Sequence, residues 1–212
     1  MNSLFITFEG IEGCGKSTQA KHLYDFLVNQ GYEVVQTREP GGTEISEKIR
    51  DLILDCENSK MNKETETLLY MASRAQHTEK HIIPALKSGK IVICDRYFDS
   101  TLAYQGYARG INIQTIKMIN TFASYGLNPD LTFYLDIPVE ESMKRIKDKK
   151  QDRLEKESEE FHQKVKDGFE RIMLDNPQRF ICINGLLSIS DIRKEIENTI
   201  IWKLKEGQKW TF

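Results

Sequence analysis

The 212-residue chain has no excess of charge of either sign: 30 Lys and Arg face 32 Asp and Glu, a net charge of −2. Binding a nucleic acid polymer or an anionic membrane surface usually needs a clear basic excess, so neither is expected as a partner. Small anionic ligands stay within reach, because they need only a few well-placed donors. No run approaches the ~18 apolar residues of a membrane span. The opening MNSLFITFEG has no basic region, no long apolar stretch and no cleavage-site pattern, so it reads as part of the fold and not as a secretory signal. There are only four cysteines, Cys14, Cys56, Cys94 and Cys182, with no CxxC pair and no zinc spacing. Cys94 and Cys182 lie in apolar runs and read as small core residues. Free thiols without a signal point to the cytoplasm. Prolines number five, and no Pro/Gly/Ser linker or internal repeat divides the chain. A single domain over 1–212 is expected, long enough to bury its core without disulfides.

Short apolar runs alternate with longer segments of helical period. Leu4–Glu9, Glu33–Thr37, Ile91–Asp95, Leu131–Asp136 and Phe180–Asn184 read as strands. Nearly unbroken apolar runs suit strands covered on both faces. Ala20, Leu23, Leu27 and Val28 give one helix an apolar face, and Ile192, Ile196, Ile200 and Leu204 give the last helix another. Ser188 and Asp191 supply a capping box for that last helix. A long helix is predicted from Lys63 into the 80s, ending before Gly89, and another over Ile113–Tyr125. The alternation predicts an α/β three-layer sandwich with a five-stranded parallel sheet.

The segment Gly10-Ile-Glu-Gly-Cys-Gly-Lys-Ser17 fits G-x-x-x-x-G-K-[ST], follows a predicted strand and precedes a predicted helix. Gly10, Gly13 and Gly15 let the backbone curl so that successive N–H groups face an anion. The helix adds its unpaired N–H groups and the positive end of its dipole. Gly10 to Thr18, with Ile11, Glu12 and Cys14 inside the loop, are the predicted ATP site. Lys16 reaches the β- and γ-phosphates, and the Ser17 hydroxyl ligates Mg²⁺. The apolar strand Lys90–Asp95 ends in a carboxylate, and Asp95 is the second predicted Mg²⁺ ligand. Arg96 follows at once, at the strand end where open α/β sheets bind ligands.

Such a loop serves a switch, a motor or a kinase. The guanine-reading NKxD is absent; Asn62-Lys63-Glu64-Thr65 lacks its final Asp. The chain is short for a motor. Arg38, Arg50, Arg74, Arg96, Arg109 and Arg153 fall on or near predicted ligand-facing loops among Gly and aromatic residues, and Arg forks suit phosphates and planar polar groups.

Six segments carry a closer resemblance. Phe8–Ser17, Thr37-Arg-Glu-Pro-Gly-Gly-Thr43, Ala72-Ser-Arg74, Asp95-Arg-Tyr97, Ser100-Thr-Leu-Ala-Tyr-Gln-Gly106 and Pro129-Asp-Leu131 resemble the thymidylate kinase family in its bacterial form, in order and spacing. The likeness runs from Leu4 to about Gly185. It implies a P-loop nucleoside monophosphate kinase that moves the γ-phosphoryl of ATP to dTMP, giving dTDP and ADP in dTTP synthesis. It also implies a homodimer, with the Ile113–Tyr125 region contributing. By the same resemblance Arg96 grips the acceptor phosphate, with Arg38 assisting, and Glu12 faces the acceptor nucleotide. Tyr70 stacks on thymine, Arg74 and Gln105 bond its edge, and Tyr104 lies beneath the sugar where it excludes a 2′-hydroxyl. Pro40, Arg50, Ser100 and Thr101 complete the dTMP site. A Gln amide accepts from thymine N3–H while donating to O4, a pairing that cytosine cannot return.

Lys144–Glu157, KRIKDKKQDRLEKE, holds seven basic and four acidic residues and only two apolar ones. So polar a stretch is expected to be mobile, and its place after the fourth strand resembles the lid of nucleoside monophosphate kinases, which implies a lid at about 144–157. Asp152-Arg153-Leu154-Glu155 resembles the bacterial lid pattern, which makes Arg153 the expected catalytic cation beside Lys16, Arg96 and Glu12. Lys149, Lys150 and Arg145 are too generic to assign. Asn184-Gly185-Leu186 is the candidate adenine contact. No general base is needed, since the acceptor phosphate is already anionic, and His22, His77, His81 and His162 read as ordinary helix residues. Two alternatives remain open: a related kinase for another nucleoside or nucleotide, and a nucleotide-dependent switch.

Overall fold

A computed structural model describes residues 3–148 and 151–208. Lys149 and Lys150, in the middle of the expected lid, lie outside the described residues. Five strands form one parallel sheet: β1 (Leu4–Glu9), β2 (Val34–Arg38), β3 (Ile91–Asp95), β4 (Leu131–Asp136) and β5 (Phe180–Asn184), in the order β2-β3-β1-β4-β5. Four strands keep the predicted bounds. The β2 strand begins and ends one residue later than predicted, which sets Arg38 opposite Asp95 in the β2–β3 register.

The helices are α1 (Lys16–Asn29), α2 (Glu44–Leu54), α3 (Lys63–His77), α4 (Ile83–Lys87), α5 (Phe98–Thr101), α6 (Ile113–Ala123), α7 (Val139–Ile146), α8 (Glu159–Asp175) and α9 (Ile189–Gln208). Thr43, Asn62, Asn112 and Ser158 cap their helices by accepting a backbone N–H three residues on. The predicted long helix from Lys63 into the 80s runs as α3, a π-helical turn over Thr78–Ile82, and α4. Pro84 has no N–H to give at this point, and the wider turn absorbs the break in the ladder. The helix predicted to reach Tyr125 stops at Ala123, because Tyr125 and Gly126 both turn left-handed, at φ 55° and 72°.

Every residue of β1 is buried, between β3 on one side and β4 on the other. Chain order reverses across β1, so the crevice beyond the strand C-termini opens at the loops that follow β1 and β3. Burial corrects two expectations. Val28, placed on the apolar face of α1, is exposed, while Ala20, Leu23 and Leu27 are buried. Cys94 is in the core, but Cys182 is exposed, because β5 is an edge strand and its side chain points away from the core. All four cysteines are free. Among the described residues no helix is long and apolar enough to cross a membrane.

Candidate active site

The loop after β1 curls where the sequence places its glycines. At Gly10, φ is 138° and a Cβ would stand 2.7 Å from the Leu135 carbonyl oxygen, so only glycine lets the chain pass. Lys16 folds back over the loop and its Nζ donates to the carbonyls of Gly10 and Ile11, at 3.0 and 2.8 Å. The Ser17 hydroxyl donates to the Asp95 carboxylate across the mouth of the loop. Gly13, Gly15, Lys16, Ser17 and Thr18 line the open cleft there. The Ile11 and Cys14 side chains are buried in the core instead, so these two predicted ATP-site residues offer main chain only.

Arg96 has a left-handed backbone at φ 69°, unusual for a residue with a side chain. Its N–H still donates to Phe8 O at 2.9 Å, extending the β1–β3 pairing, while the turn throws its guanidinium back over the glycine loop. There it donates to Gly10 O at 2.9 Å, Ser100 Oγ at 3.1 Å and Glu12 Oε1 at 2.8 Å. The Tyr104 hydroxyl reaches both Glu12 oxygens, at 2.6 and 2.7 Å. Burial pushes the Glu12 carboxyl up, but the charges of Arg96 and Lys16 and the Tyr104 bond outweigh it, and Glu12 lies below the ordinary carboxylate range. Burial holds the Tyr104 phenol well above its usual value.

Of the four histidines, expected at the helix surface or half-buried, His22 and His81 are half-buried and two depart from expectation. His162 is fully buried on α8, with Nδ1 3.6 Å from Glu12 and both ring nitrogens unpartnered. His77 is also buried. Its Nδ1 lies 3.0 Å from Glu39 Oε1, and its Nε2 lies 2.7 Å from the Thr37 hydroxyl. Nothing in the helical spacing of either residue signals this, because their partners come from distant loops.

A second arm of the cleft is lined by Pro40, Arg50, Tyr70, Arg74, Thr101 and Gln105. Arg74 is only 2% exposed. Its Nε donates to Glu39 Oε2 at 2.8 Å, and its Nη1 donates to Thr101 and Asn120 at 2.9 and 2.7 Å. Nη2 has no hydrogen bond among the described residues, which leaves one fork of the guanidinium for a ligand. Arg50 braces the wall by donating to Pro40 O at 2.8 Å. Arg38 is exposed at the phosphate end and pairs with Glu47 at 2.8 Å. Tyr104 and Gln105, consecutive on the π-helical Leu102–Ala108 segment, both line this arm. Gln105 Nε2 donates to the buried carboxylate of Glu66 at 2.8 Å.

The 144–157 stretch corrects the sequence reading. Lys144 to Ile146 belong to α7, and the Asp152–Glu155 turn is packed against α2. Arg153 and Leu154 are buried. Arg153 does not reach the phosphate loop. Its N–H and Nε donate to Leu54 O and Ile53 O at 3.1 and 2.9 Å, and its Nη1 pairs with Glu66 at 2.7 Å. The desolvated carboxylate of Glu66 demands a cation and takes this one. The lid-side arginine at the phosphate loop is Arg145, which lines the cleft and donates to Gly13 O at 3.3 Å and Gly185 O at 3.4 Å. Asp152 and Glu155 face the same space.

Beneath both arms, Glu9 ends β1 in full burial and accepts from the Tyr97 N–H at 2.7 Å and the Ser100 hydroxyl at 2.6 Å. Burial, with the charge of Asp99, pushes its carboxyl up to about 7 against the pull of Arg96.

Comparison with known proteins identifies the family. The family model described as thymidylate kinase matches residues 8–196. The thymidylate kinase of Thermoanaerobacter sp. (strain X514) is 47% identical over 200 residues, covering 94% of this chain and 98% of its own length. That of Staphylococcus epidermidis is 48% identical over 205 residues, covering 96% of this chain and 100% of its own length. The crystal structure of thymidylate kinase from Ehrlichia chaffeensis superposes with a TM-score of 0.77 at 36% identity, covering 94% of this chain and 99% of its own. The chain belongs to the thymidylate kinase family.

Glu9 generates a pH prediction. Its folded value lies above that of a free glutamate, so the stability it confers is complete below about 4.5 and is lost as pH rises through about 7. Glu9→Gln fixes the neutral form. Urea unfolding from pH 5 to 8 should show wild type losing up to about 3 kcal/mol relative to Glu9→Gln. Parallel curves for the two proteins would remove the assignment.

Proposed function

We propose that the two arms of this cleft hold ATP and dTMP end to end, with Glu12, Arg96 and Tyr104 as the wedge where they meet. The enzyme is an ATP-dependent dTMP kinase, transferring the γ-phosphoryl to the acceptor phosphate to give dTDP and ADP. One observation carries the assignment of arms. The Arg96 guanidinium bridges the glycine loop, through Gly10 O and Glu12, to Ser100 in the second arm. A cation there touches both the donor cradle and the acceptor site.

In this reading, the N–H groups of 10–18 and Lys16 hold the β- and γ-phosphates. Mg²⁺ fits the mouth of the loop. Ser17 and Asp95 present two facing oxygen groups, and Mg²⁺ characteristically takes one or two protein ligands beside substrate phosphates and waters. When bound, the ion neutralises charge developing between the β- and γ-phosphates. Arg96, with Arg38 at the rim, holds the acceptor phosphate in line, and the gain is one of orientation. Glu12 takes the sugar hydroxyl, and the Tyr104 ring beneath leaves no room for a 2′-hydroxyl. Tyr70 stacks on the base, while Arg74 Nη2 and Gln105 bond its edge. Arg145, between Gly13 and Gly185, borders the ATP side, and the adenine lies by Asn184–Leu186. We further read the chain as one cytoplasmic domain, a setting its four free thiols suit, with 144–157 as the closing segment.

We also propose a homodimer through α2, α3 and α6. These helices pack side by side and expose Leu68 at 62%, Met118 at 70% and Phe122 at 83%. Exposed apolar groups of this size on one face mark a partner surface.

Three tests follow from this reading. With Mg·ATP and single acceptors, turnover should be fast on dTMP, slower on dUMP and negligible on dCMP, dGMP, UMP or thymidine; comparable rates on dGMP would sink the base-site assignment. Arg145→Ala should raise the KM for ATP about tenfold or more, with the KM for dTMP nearly unchanged, as befits loss of a charge-assisted contact on the ATP side. The opposite split would move Arg145 to the acceptor. Light scattering should give a dimer mass for wild type and a monomer mass for Phe122→Glu; a wild-type monomer would exclude the interface.

A further inference from the structure

Glu66 sits on α3 outside the phosphate loop, and its side chain is 1% exposed. It has three partners. Oε1 accepts from Gln105 Nε2 at 2.8 Å and Arg109 Nε at 3.2 Å. Oε2 accepts from Arg109 Nη2 at 3.2 Å and Arg153 Nη1 at 2.7 Å. Arg109 in turn pairs with Glu157 at 2.6 Å. One carboxylate thus touches the base pocket through Gln105 and both ends of the 153–157 turn through two arginines. Burial pushes its carboxyl up, but the bonds from Gln105 and Arg109 and the charges of Arg109 and Arg153 outweigh this, and it lies below the ordinary range. Glu66 is therefore an anion throughout neutral pH.

A carboxylate only accepts, so the edge of the Gln105 amide that faces it must be the nitrogen. That orientation settles what the cleft receives from Gln105: the carbonyl oxygen and the remaining N–H. The carbonyl suits a base with an N3–H donor and rejects one with an N3 acceptor. The same carboxylate pairs with Arg153 at one end of the Arg153–Glu157 turn, and its partner Arg109 pairs with Glu157 at the other.

We propose that Glu66 is a positioning residue that fixes the hydrogen-bond polarity of the base pocket and ties it to the seated 151–157 segment. It touches no substrate. It selects thymine over cytosine by holding Gln105 in one amide orientation, and it makes filling of the base pocket and seating of the segment favour each other. This rests on the reading of Gln105 as a base contact.

The test compares wild type, Glu66→Gln, Arg153→Ala and Gln105→Ala, each checked for folding by circular dichroism. The readouts are KM for dTMP, dCMP and ATP, and hydrogen exchange of 151–157 with and without dTMP. In wild type, dTMP should slow exchange of the segment in the absence of ATP. Glu66→Gln lets the Gln105 amide turn either way. It should raise the KM for dTMP about tenfold, with the KM for ATP within about twofold, narrow the dTMP/dCMP preference and abolish the protection by dTMP. Arg153→Ala should abolish the protection yet keep the dTMP/dCMP preference. A Glu66→Gln enzyme that retains either the preference or the protection overturns the proposal. Should Glu66→Gln fail to fold, Arg153→Ala decides alone, and persistent protection by dTMP in that variant overturns it. Gln105→Ala separates the two levels. If it leaves dTMP binding unchanged, the base-site reading falls. If it weakens dTMP while Glu66→Gln does nothing, only the role of Glu66 falls.

Discussion

The cleft depends on a single cation, Arg96, held in a backbone conformation that L-residues avoid. A left-handed residue costs roughly 1–2 kcal/mol, and a carboxylate inside a phosphate cradle is itself unfavourable. The two liabilities offset each other. The strained turn aims the guanidinium at Glu12, and the resulting pair satisfies a charge that would otherwise repel the polyphosphate. Because the Arg96 N–H still bonds to Phe8 O, the pair is fixed to the sheet and not to a floppy loop. The wedge between the two arms is therefore as rigid as the β1–β3 ladder.

Away from the wedge, one helical stretch supplies much of the second arm: Ser100 and Thr101 from α5 and Tyr104 and Gln105 from the π-helical turn over Leu102–Ala108 all line it. The Tyr104 ring is then pinned on several sides: its hydroxyl by Glu12, its face by the Arg96 guanidinium 5.2 Å from the centroid, and its edges by Phe161 and Phe169. On the proposed reading, a ring held on several sides makes a hard floor for a sugar, which a surface tyrosine could not.

Where a local geometry depends on residues adjacent in the chain, it is legible in the sequence. The glycines, Lys16 and Ser17 of the phosphate loop follow from one strand, one turn and one helix. The strand ending at Asp95 follows from apolar periodicity. What the chain did not disclose comes from contacts far apart in sequence. His77 and His162 have unremarkable helical surroundings, and only the tertiary structure brings them to Glu39 and Glu12. Glu66 lies in a helix first turn, where an acidic residue needs no further reason, and nothing local marks it as the acceptor for Gln105, Arg109 and Arg153. Arg145 is one basic residue among many in a charged run, whereas Arg153 sits in a local pattern that resembles the bacterial family. Position along the chain cannot say which of two cations a buried carboxylate will claim.

A run of charges is ordinarily a solvated face, yet here the 151–157 turn packs, and on the proposed closing role the way it packs bears on how it would open. Asp152 accepts the N–H groups of Leu154 and Glu155, and Glu155 returns the bond to the Asp152 N–H, so the turn carries its own internal structure. Docking brings in Arg153 and Glu157, one charge of each sign, against the existing Glu66–Arg109 pair. The assembled group of four is neutral. If the turn departs, Glu66 still keeps Arg109 and Gln105, and the two departing charges pass into water. No isolated charge is stranded in the interior in either state. That distinguishes this seat from a single buried ion pair, whose rupture leaves an uncompensated ion and costs several kcal/mol. An apolar latch over the same turn would bury more surface and open more slowly. A neutral, divisible charge cluster can bind the closed state while leaving the open one accessible, as repeated entry and release of two nucleotides requires.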